Sequence, residues 1–370
     1  MSTNGDDFTI GVEEEYQIIH PDTRELRSRV QAILPQAKAV LGDQVTPELY
    51  RSQIEIGTSI CQTITQVREQ LVHLRREVIL AAEKEGSRIA ASGTHPFSHW
   101  NEQKLTVRKR YADIATSYQQ LAREQLIFGC HVHVGIANRE LAIQVMNRSR
   151  PWLASLLALS ANSPFWLGVD TGYASYRTQV WGRWPTAGVP QVFGSLAEYE
   201  DVVNQLVATG IIDDASKLYW DMRPSTHYNT LEYRVTDVCL TVDEAVLVAG
   251  LIRALAKTCA MQAEQFVPVA PIRSEVLRAA HWQASRFGLD GQLIDTTEGR
   301  AVPAGTLINK LLTFVRPALE EFGEWYEISG LVKAVLKNGT GAARQREAFA
   351  KQESLEDVVD LLVAETAKSN

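Results

Sequence analysis

Four short stretches of this chain alternate apolar and polar residues with period two, and in each the polar positions carry ionisable groups. Successive side chains on a strand point to opposite faces, so each stretch divides into two sides. In Ile10–Ile18, Glu13, Glu15 and Gln17 share one side, and Val12, Glu14, Tyr16 and Ile18 the other. In Ser52–Gly57, Gln53, Glu55 and Gly57 oppose Ile54 and Ile56. In Phe128–Ile136, His131 and His133, flanked by Gly129 and Gly135, oppose Cys130, Val132, Val134 and Ile136. In Thr230–Asp237, Glu232, Arg234 and Thr236 oppose Leu231, Tyr233 and Val235. Glycine on a strand marks close approach of a ligand or another backbone. Only Glu14 breaks the pattern, a carboxylate on an apolar side.

A single outward glutamate on a strand is ordinarily just solvated, and a lone His-x-His is weak. The argument rests on four stretches sharing one layout. If they form one sheet, Glu13, Glu15, Glu55, His131, His133, Glu232 and Arg234 converge on one surface. Clustered carboxylates raise one another's pKa, and a cation relieves that repulsion. Carboxylate oxygens are hard ligands suited to Mg²⁺ or Mn²⁺.

A fifth period-two stretch covers Arg88–Ser92. Helical spacing marks Thr63–Glu85, Leu141–Ala161, Leu196–Thr209, Val242–Gln265, Ser274–Arg286, Gly305–Phe322 and Arg344–Ala367. Ser195 and the Asp243 region read as helix starts, and Pro317 is expected to kink or split its helix. Strands in the first two-thirds and helices after about 242 predict an α+β fold. The 370 residues admit two domains or one large one, and a single catalytic domain over 1–370 with a helical part from about 242 is expected. The stretch Pro164–Gly194 lacks clean periodicity and reads as a long loop. Its segment Tyr173–Pro190, with Trp181 and Trp184, is a candidate lid or substrate wall.

With 45% hydrophobic and 22% charged residues, a disordered or fibrous chain is excluded. A net charge of −7 argues against nucleic acid as partner. Four scattered cysteines form no CxxC pair. There is no apolar run of membrane-spanning length, and the acidic start MSTNGDDFTI is not a signal-peptide pattern. A cytoplasmic protein without membrane or nucleic-acid partners is expected.

The chain has no P-loop, GxGxxG, HExxH or GxSxG pattern. Arginines carry more information, because guanidinium grips phosphate or carboxylate bidentately. Arg223 and Arg234 flank the Glu232 strand, and Arg177 lies in the long loop. Arg108 and Arg110, with Lys104 and Lys109, read as a solvated helix face. His95, in Gly-Thr-His-Pro-Phe, is either a substrate contact or a turn cap. A metal-dependent hydrolase built on His131 and His133 is a rival reading, and a noncatalytic nucleotide-binding protein is another.

Gly-Val-Glu13-Glu-Glu15, Glu55 in Ile-Glu-Ile-Gly-Thr, Gly-Thr-His95-Pro-Phe, Gly-Cys-His131-Val-His133-Val-Gly and Asp-Met-Arg223-Pro…Thr-Leu-Glu232-Tyr-Arg234-Val-Thr-Asp237 together resemble the type 2 glutamate–cysteine ligase family of carboxylate–amine ligases. The resemblance spans about 8 to 340. It implies a glutamine-synthetase-like fold, a curved and mainly antiparallel sheet with the active site on its concave face and helices behind. It implies ATP with Mg²⁺, an acyl-phosphate intermediate, small-molecule substrates with glutamate as donor and cysteine as a weaker expectation for the amine, and a homodimer or larger homo-oligomer. It places Glu13, Glu15, Glu55, His131 and Glu232 at metal positions and Arg234 near the transferred phosphate. Arg177 and Arg223 become contacts for substrate carboxylate or nucleotide phosphate, His95 and His133 substrate contacts, with the role of His133 open.

Overall fold

The computed structural model describes residues 8–368. Its strands are β1 (Ile10–Ile19), β2 (Val45–Pro47), β3 (Gln53–Gly57), β4 (Arg88–Ala90), β5 (Gly129–Gly135), β6 (Phe165–Trp166), β7 (Val169–Asp170), β8 (Met222–Pro224), β9 (Thr230–Asp237), β10 (Gln292–Asp295) and β11 (Arg300–Pro303). Its helices in the first half are α1 (Val30–Leu41), α2 (Ile64–Lys84), α3 (Lys109–Tyr118), α4 (Gln120–Arg123), α5 (Arg139–Ser149), α6 (Leu153–Ser160) and α7 (Tyr176–Trp181). Those that follow are α8 (Leu196–Ala208), α9 (Val242–Glu264), α10 (Ser274–Phe287), α11 (Ala304–Glu321), α12 (Trp325–Asn338), α13 (Gly341–Gln352) and α14 (Leu355–Thr366).

The main sheet runs β2-β3-β1-β5-β9-β8, with β4 pairing the end of β1 past β5, on the edge opposite β3, and every pairing in it is antiparallel. The expected strands are all present. Their apolar sides, led by Val12, Tyr16, Ile54, Ile56, Val132, Val134, Leu231 and Tyr233, are buried. Against that side pack α2 and α9, and α9 in turn carries α5, α11 and α12. α9 is apolar nearly all round, which is why most of its length is buried. Its start is set by Thr241 rather than the Asp243 region. The Thr241 hydroxyl accepts from Glu244 N–H while the Glu244 carboxylate accepts from Thr241 N–H, a reciprocal capping box.

Glu14, the misplaced carboxylate, is explained by α2. Arg75 Nη2 lies 2.5 Å from Glu14 Oε1, Nε donates to Oε2 at 3.0 Å, and the Tyr16 hydroxyl also donates to Glu14. Two backbone carbonyls, Leu240 O and Cys239 O, also accept from Arg75, so four of its five donors are engaged. The pair is buried and richly hydrogen-bonded, the condition under which such a pair is tolerated.

Several element expectations are corrected. Leu141–Ala161 is two helices separated by a 3₁₀ turn at Arg150–Trp152, where Pro151 interrupts the ladder. Arg344–Ala367 is also two, broken where Glu353 takes φ 54° and Ser354 caps α14. Pro317 does not split its helix, since α11 runs through it. The stretch 164–194 is not one loop, because it contains the β6–β7 hairpin and α7.

Candidate active site

Register decides what the polar side of the sheet can do. Glu15 stands opposite Glu55, and Glu13 opposite both Gly57 and His131. His133 stands opposite Glu232, and Glu232 opposite Arg223. Cross-strand partners share a face, so five strands, β1, β3, β5, β8 and β9, deliver these groups to one cleft. A bulge on β9 sets Arg234 and Val235 against the single residue His131, between the Cys130–Thr236 and Val132–Tyr233 pairs. This corrects Thr236. It joins Cys130 on the core face, where it is buried and its hydroxyl donates to Cys130 O at 2.6 Å.

The cleft has two connected parts. The larger, a cavity of about 680 Å³, is walled by Glu15, Glu48 and Glu55, by Arg108, Arg110, Arg177, Arg223 and Arg234, and by Tyr111, Trp181, Trp184 and Tyr219. The smaller, about 310 Å³, shares Glu15, Glu48, Glu55 and Arg234 and adds Glu13, His131, His133 and Glu232.

In the smaller part, Glu13, His133 and Glu232 each present a ligand atom within 4.8 Å of the others, the right donors for a cation. His131 Nδ1 lies 3.3 Å from Glu13 Oε2 and His133 Nε2 lies 3.4 Å from Glu13 Oε1. His133 Nε2 has Glu13 as a charged neighbour, while His131 Nε2 is buried without a partner among the described residues. An orphaned ring nitrogen beside carboxylates fits a bound cation. Burial works to raise the Glu13 carboxyl, but the two histidines outweigh it and hold it well below the usual carboxylate range. Burial and the Arg234 charge push His131 down to about 4. Burial would also lower His133, yet Glu13 and Glu232 raise it.

Glu15, Glu48 and Glu55 form a second acidic group. Burial, then the Glu48 charge, lifts Glu15 to about 7. Burial, then Glu13, Glu48 and Glu15, lifts Glu55 well above its ordinary value. Such mutual repulsion is relieved by a cation. Glu48 is a residue sequence reasoning missed. It lies between β2 and β3, outside any period-two stretch, and is held by the Tyr111 hydroxyl at 2.8 Å.

The arginines differ in their engagement. Arg223 Nε donates to Glu232 Oε2 at 2.9 Å and its Nη1 to the carbonyls of Ala215, Ser216 and Leu218, so it braces Glu232. Arg234 pairs with the other Glu232 oxygen. Burial would raise Glu232, but Arg234 and Arg223 win and hold it at about 2. Arg177 is buried, and among the described residues it makes no ion pair. Its Cζ lies 5.5 Å from the Trp181 ring centre and that of Arg234 lies 5.1 Å from the same ring. An unpaired buried guanidinium facing a cleft is an anion seat.

His95 is not brought to the cleft. It is wholly buried, its Nδ1 accepts from Phe97 and Ser98 N–H at 3.2 and 2.9 Å, and its Nε2 meets Arg24 O at 2.9 Å. Of the two sequence readings it takes the turn cap. Arg108 and Arg110 are exposed, as a solvated face requires, yet both rim the cavity, and Arg110 reaches Ser216 Oγ at 3.1 Å. Trp181 and Trp184 do form a wall of the cavity, and Trp184 stacks on Tyr219 with ring centres 4.7 Å apart. His227, on the exposed β8–β9 turn, also reaches the rim.

A family model described as "Glutamate-cysteine ligase family 2 (GCS2)" matches residues 9–361. The chain belongs to glutamate–cysteine ligase family 2. A GCS2 relative from Roseiflexus sp., named "Putative glutamate--cysteine ligase 2", is 42% identical over 359 residues, covering 97% of this chain and 94% of the relative. One of the same name from Rhodopirellula baltica is 42% identical over 373 residues, covering 98% and 97%. The solved glutamate–cysteine ligase from Francisella tularensis, in complex with AMP, superposes with TM-score 0.72 at 12% identity, covering 97% of this chain and 88% of that one. That likeness shows the fold. This GCS2 chain has the mixed helical and antiparallel-sheet architecture of the glutamine-synthetase-like ligases, as the family resemblance implied, and the α+β class that the strand and helix pattern predicted.

Proposed function

We propose that this GCS2 member is an ATP-dependent carboxylate–amine ligase that forms an amide through an acyl phosphate, with glutamate as the carboxylate donor and cysteine as the first amine to test. The observation that carries the reading is the continuity of the cleft. One opening joins the Glu13, His133 and Glu232 cluster to the unpaired Arg177 and to Arg234.

A carboxylate is a poor electrophile, and phosphorylation gives it a leaving group. A substrate carboxylate oxygen attacks the γ-phosphorus, the bond to the bridging oxygen breaks, and ADP leaves. The amine nitrogen then attacks the acyl carbon, phosphate departs with the electron pair, and the amide nitrogen sheds its proton. Such chemistry is catalysed by positioning and charge neutralisation, with no nucleophilic side chain needed. Glu13, His133 and Glu232, with His131 behind them, would hold one Mg²⁺ or Mn²⁺, and Glu15, Glu48 and Glu55 offer carboxylates for another. A cation held by these residues would supply charge neutralisation to the phosphates.

Arg234 supports the transferred phosphoryl group from the Glu232 strand. Arg177 holds a carboxylate of the substrate. Arg223 keeps Glu232 ionised and fixed rather than meeting substrate first. The aromatic wall of Trp181, Trp184 and Tyr219 excludes water beside the acyl phosphate, which hydrolysis would otherwise consume. The proposal carries with it the family expectation of a cytoplasmic homo-oligomer. Among the described residues no helix is long and apolar enough to cross a membrane.

Hydroxylamine tests the intermediate directly. With ATP, Mg²⁺ and glutamate it should trap an acyl phosphate as the hydroxamate. ADP formation with no hydroxamate would rule out an acyl phosphate, and nucleotide binding without either product would remove glutamate as donor.

A further inference from the structure

Arg177 poses a physical problem. A long, buried cation without a carboxylate partner depends on how its backbone is held, and Arg177 is the second residue of the six-residue helix α7. What fixes that helix lies outside the cleft. Asp237, the last residue of β9, is wholly buried and lines neither part of the cavity.

Its carboxylate holds the start of α7 through two serines. The Ser175 hydroxyl donates to Asp237 Oδ1 at 2.8 Å, and Ser175 is the N-cap of α7, its oxygen accepting from Thr178 N–H. The Ser163 hydroxyl donates to Oδ2 at 2.7 Å, and the same Ser163 oxygen accepts from Arg177 N–H at 3.0 Å. Asn162 N–H also donates to Oδ2, at 2.8 Å. The backbone repeats the link, with Tyr176 N–H donating to Ser163 O and Ser163 N–H to Ala174 O.

Gly93 makes room for this arrangement. A Cβ there would lie 2.8 Å from Asp237 Cγ and 2.9 Å from Oδ2, closer than side chains approach. The Gly93-Thr94 and Thr236-Asp237 pairs that frame two of the sequence motifs thus meet at one point, behind the site.

We infer that Asp237 is a positioning residue that sets Arg177 against Arg234. The same strand carries Glu232, Arg234 and Asp237, so one carboxylate ties the helix bearing Arg177, whose Nη2 donates to Arg234 O at 3.4 Å, to the strand bearing Arg234. Charge reinforces geometry, because Asp237 and Glu15 are the foremost anions favouring the Arg177 cation. The inference rests on the proposed function only for the task assigned to Arg177; the clamp itself is independent of it.

Two measurements on the full chain test it. Amide hydrogen exchange over 176–181 reads the clamp without any substrate. In Asp237→Ala, and separately in the Ser163→Ala/Ser175→Ala double variant, exchange in α7 should quicken by about fivefold or more, the scale of a lost helix cap, while β1 and β5 stay protected. The double variant keeps the carboxylate and serves if Asp237→Ala does not fold. The second measurement is a cycle between Asp237→Ala and Arg177→Ala, reading KM for glutamate and kcat separately. If Asp237 acts through Arg177, adding Arg177→Ala to Asp237→Ala changes KM by less than about twofold, and Asp237→Asn, which keeps a planar acceptor, restores part of the loss. Unchanged α7 exchange in both variants, or effects on KM that multiply, would overturn the inference. A wild-type protein that releases no ADP overturns the ligase reading alone, and the exchange result still decides the clamp.

Discussion

Removing Glu232 does two things at once. It takes a donor from the cation seat and leaves Arg223 and Arg234 buried without their shared anion. Breaking a buried pair costs about 3–5 kcal/mol, so Glu232→Ala should lose activity and stability together. Glu55→Gln is the cleaner probe. Among the described residues its carboxylate pairs with no arginine; it is held by the Thr46 hydroxyl at 3.1 Å and is pushed towards neutrality by burial and by Glu13, Glu48 and Glu15. We expect Glu55→Gln to lower Mg²⁺-dependent kcat by about 100-fold or more, the scale of a lost electrostatic contact in the transition state, with a thermal midpoint within a few degrees of wild type. Retained turnover would remove Glu55 from the site. At this scale the sequence was most informative where a residue sat on an alternating strand. Glu13, Glu15, Glu55, His133 and Glu232 were each placed by period two alone. Glu48 and Arg110 were not, since a loop and a helix start have no period to read, and only the tertiary fold brings them to the cleft. His95 was ambiguous because the same Gly-rich strand end serves a turn cap and a ligand contact equally well.

Elements position what residues supply. β5 holds two histidines on the site face because residues two apart on a strand share a side, and antiparallel β1 and β9 set Glu13 opposite His131 and Glu232 opposite His133. The bulge opposite His131 was invisible in the sequence, as an extra residue on one strand leaves local alternation intact, and it alone moved Thr236 to the core. Helix breaks were similarly hidden. A 3₁₀ turn at Arg150–Trp152 interrupts the helical ladder at Pro151, whereas α11 runs through Pro317. Gly129 tests how tightly β5 and α7 meet. A Cβ at that position would lie 2.4 Å from Arg177 Nη2 and 3.1 Å from His131 Nε2. Its N–H also donates to Glu15 Oε2 at 2.7 Å, a bond that alanine keeps. Gly129→Ala should therefore displace Arg177 while sparing the strand, lowering kcat/KM by about tenfold or more, a loss of about 1.4 kcal/mol, with little change in unfolding midpoint. A variant with wild-type kcat/KM would show that Arg177 has room to move without consequence.

At the scale of the whole molecule, one buried apolar cluster runs from the sheet through the C-terminal helices. Ends of the chain are joined by specific bonds as well. The Thr366 hydroxyl accepts from Ala91 N–H at 2.8 Å, and Arg24 pairs with Asp360 at 3.0 Å. His95 sits beside that junction, bonded to the Arg24 carbonyl, and burial pushes its pKa from 6.5 down to about 3. Between those values the unfolded chain holds a proton that the native chain lacks, so this group's contribution is full above about pH 6.5 and is lost as pH falls towards 3. The slope is about 1.4 kcal/mol per pH unit at most. The stability difference between wild type and His95→Asn, measured by urea unfolding across that range, should shrink as pH falls. A difference that stays flat would show that His95 takes up a proton without cost.

The central claim is that this cleft couples ATP cleavage to amide formation. The most direct measurement is ADP release with ATP, Mg²⁺ and glutamate, repeated with a panel of amino acids and amines that includes cysteine. We predict release that requires both glutamate and an amine, collapses on chelation of the metal, and yields one amide per ADP. ADP release that ignores the amine, or no nucleotide binding at all, would contradict the account.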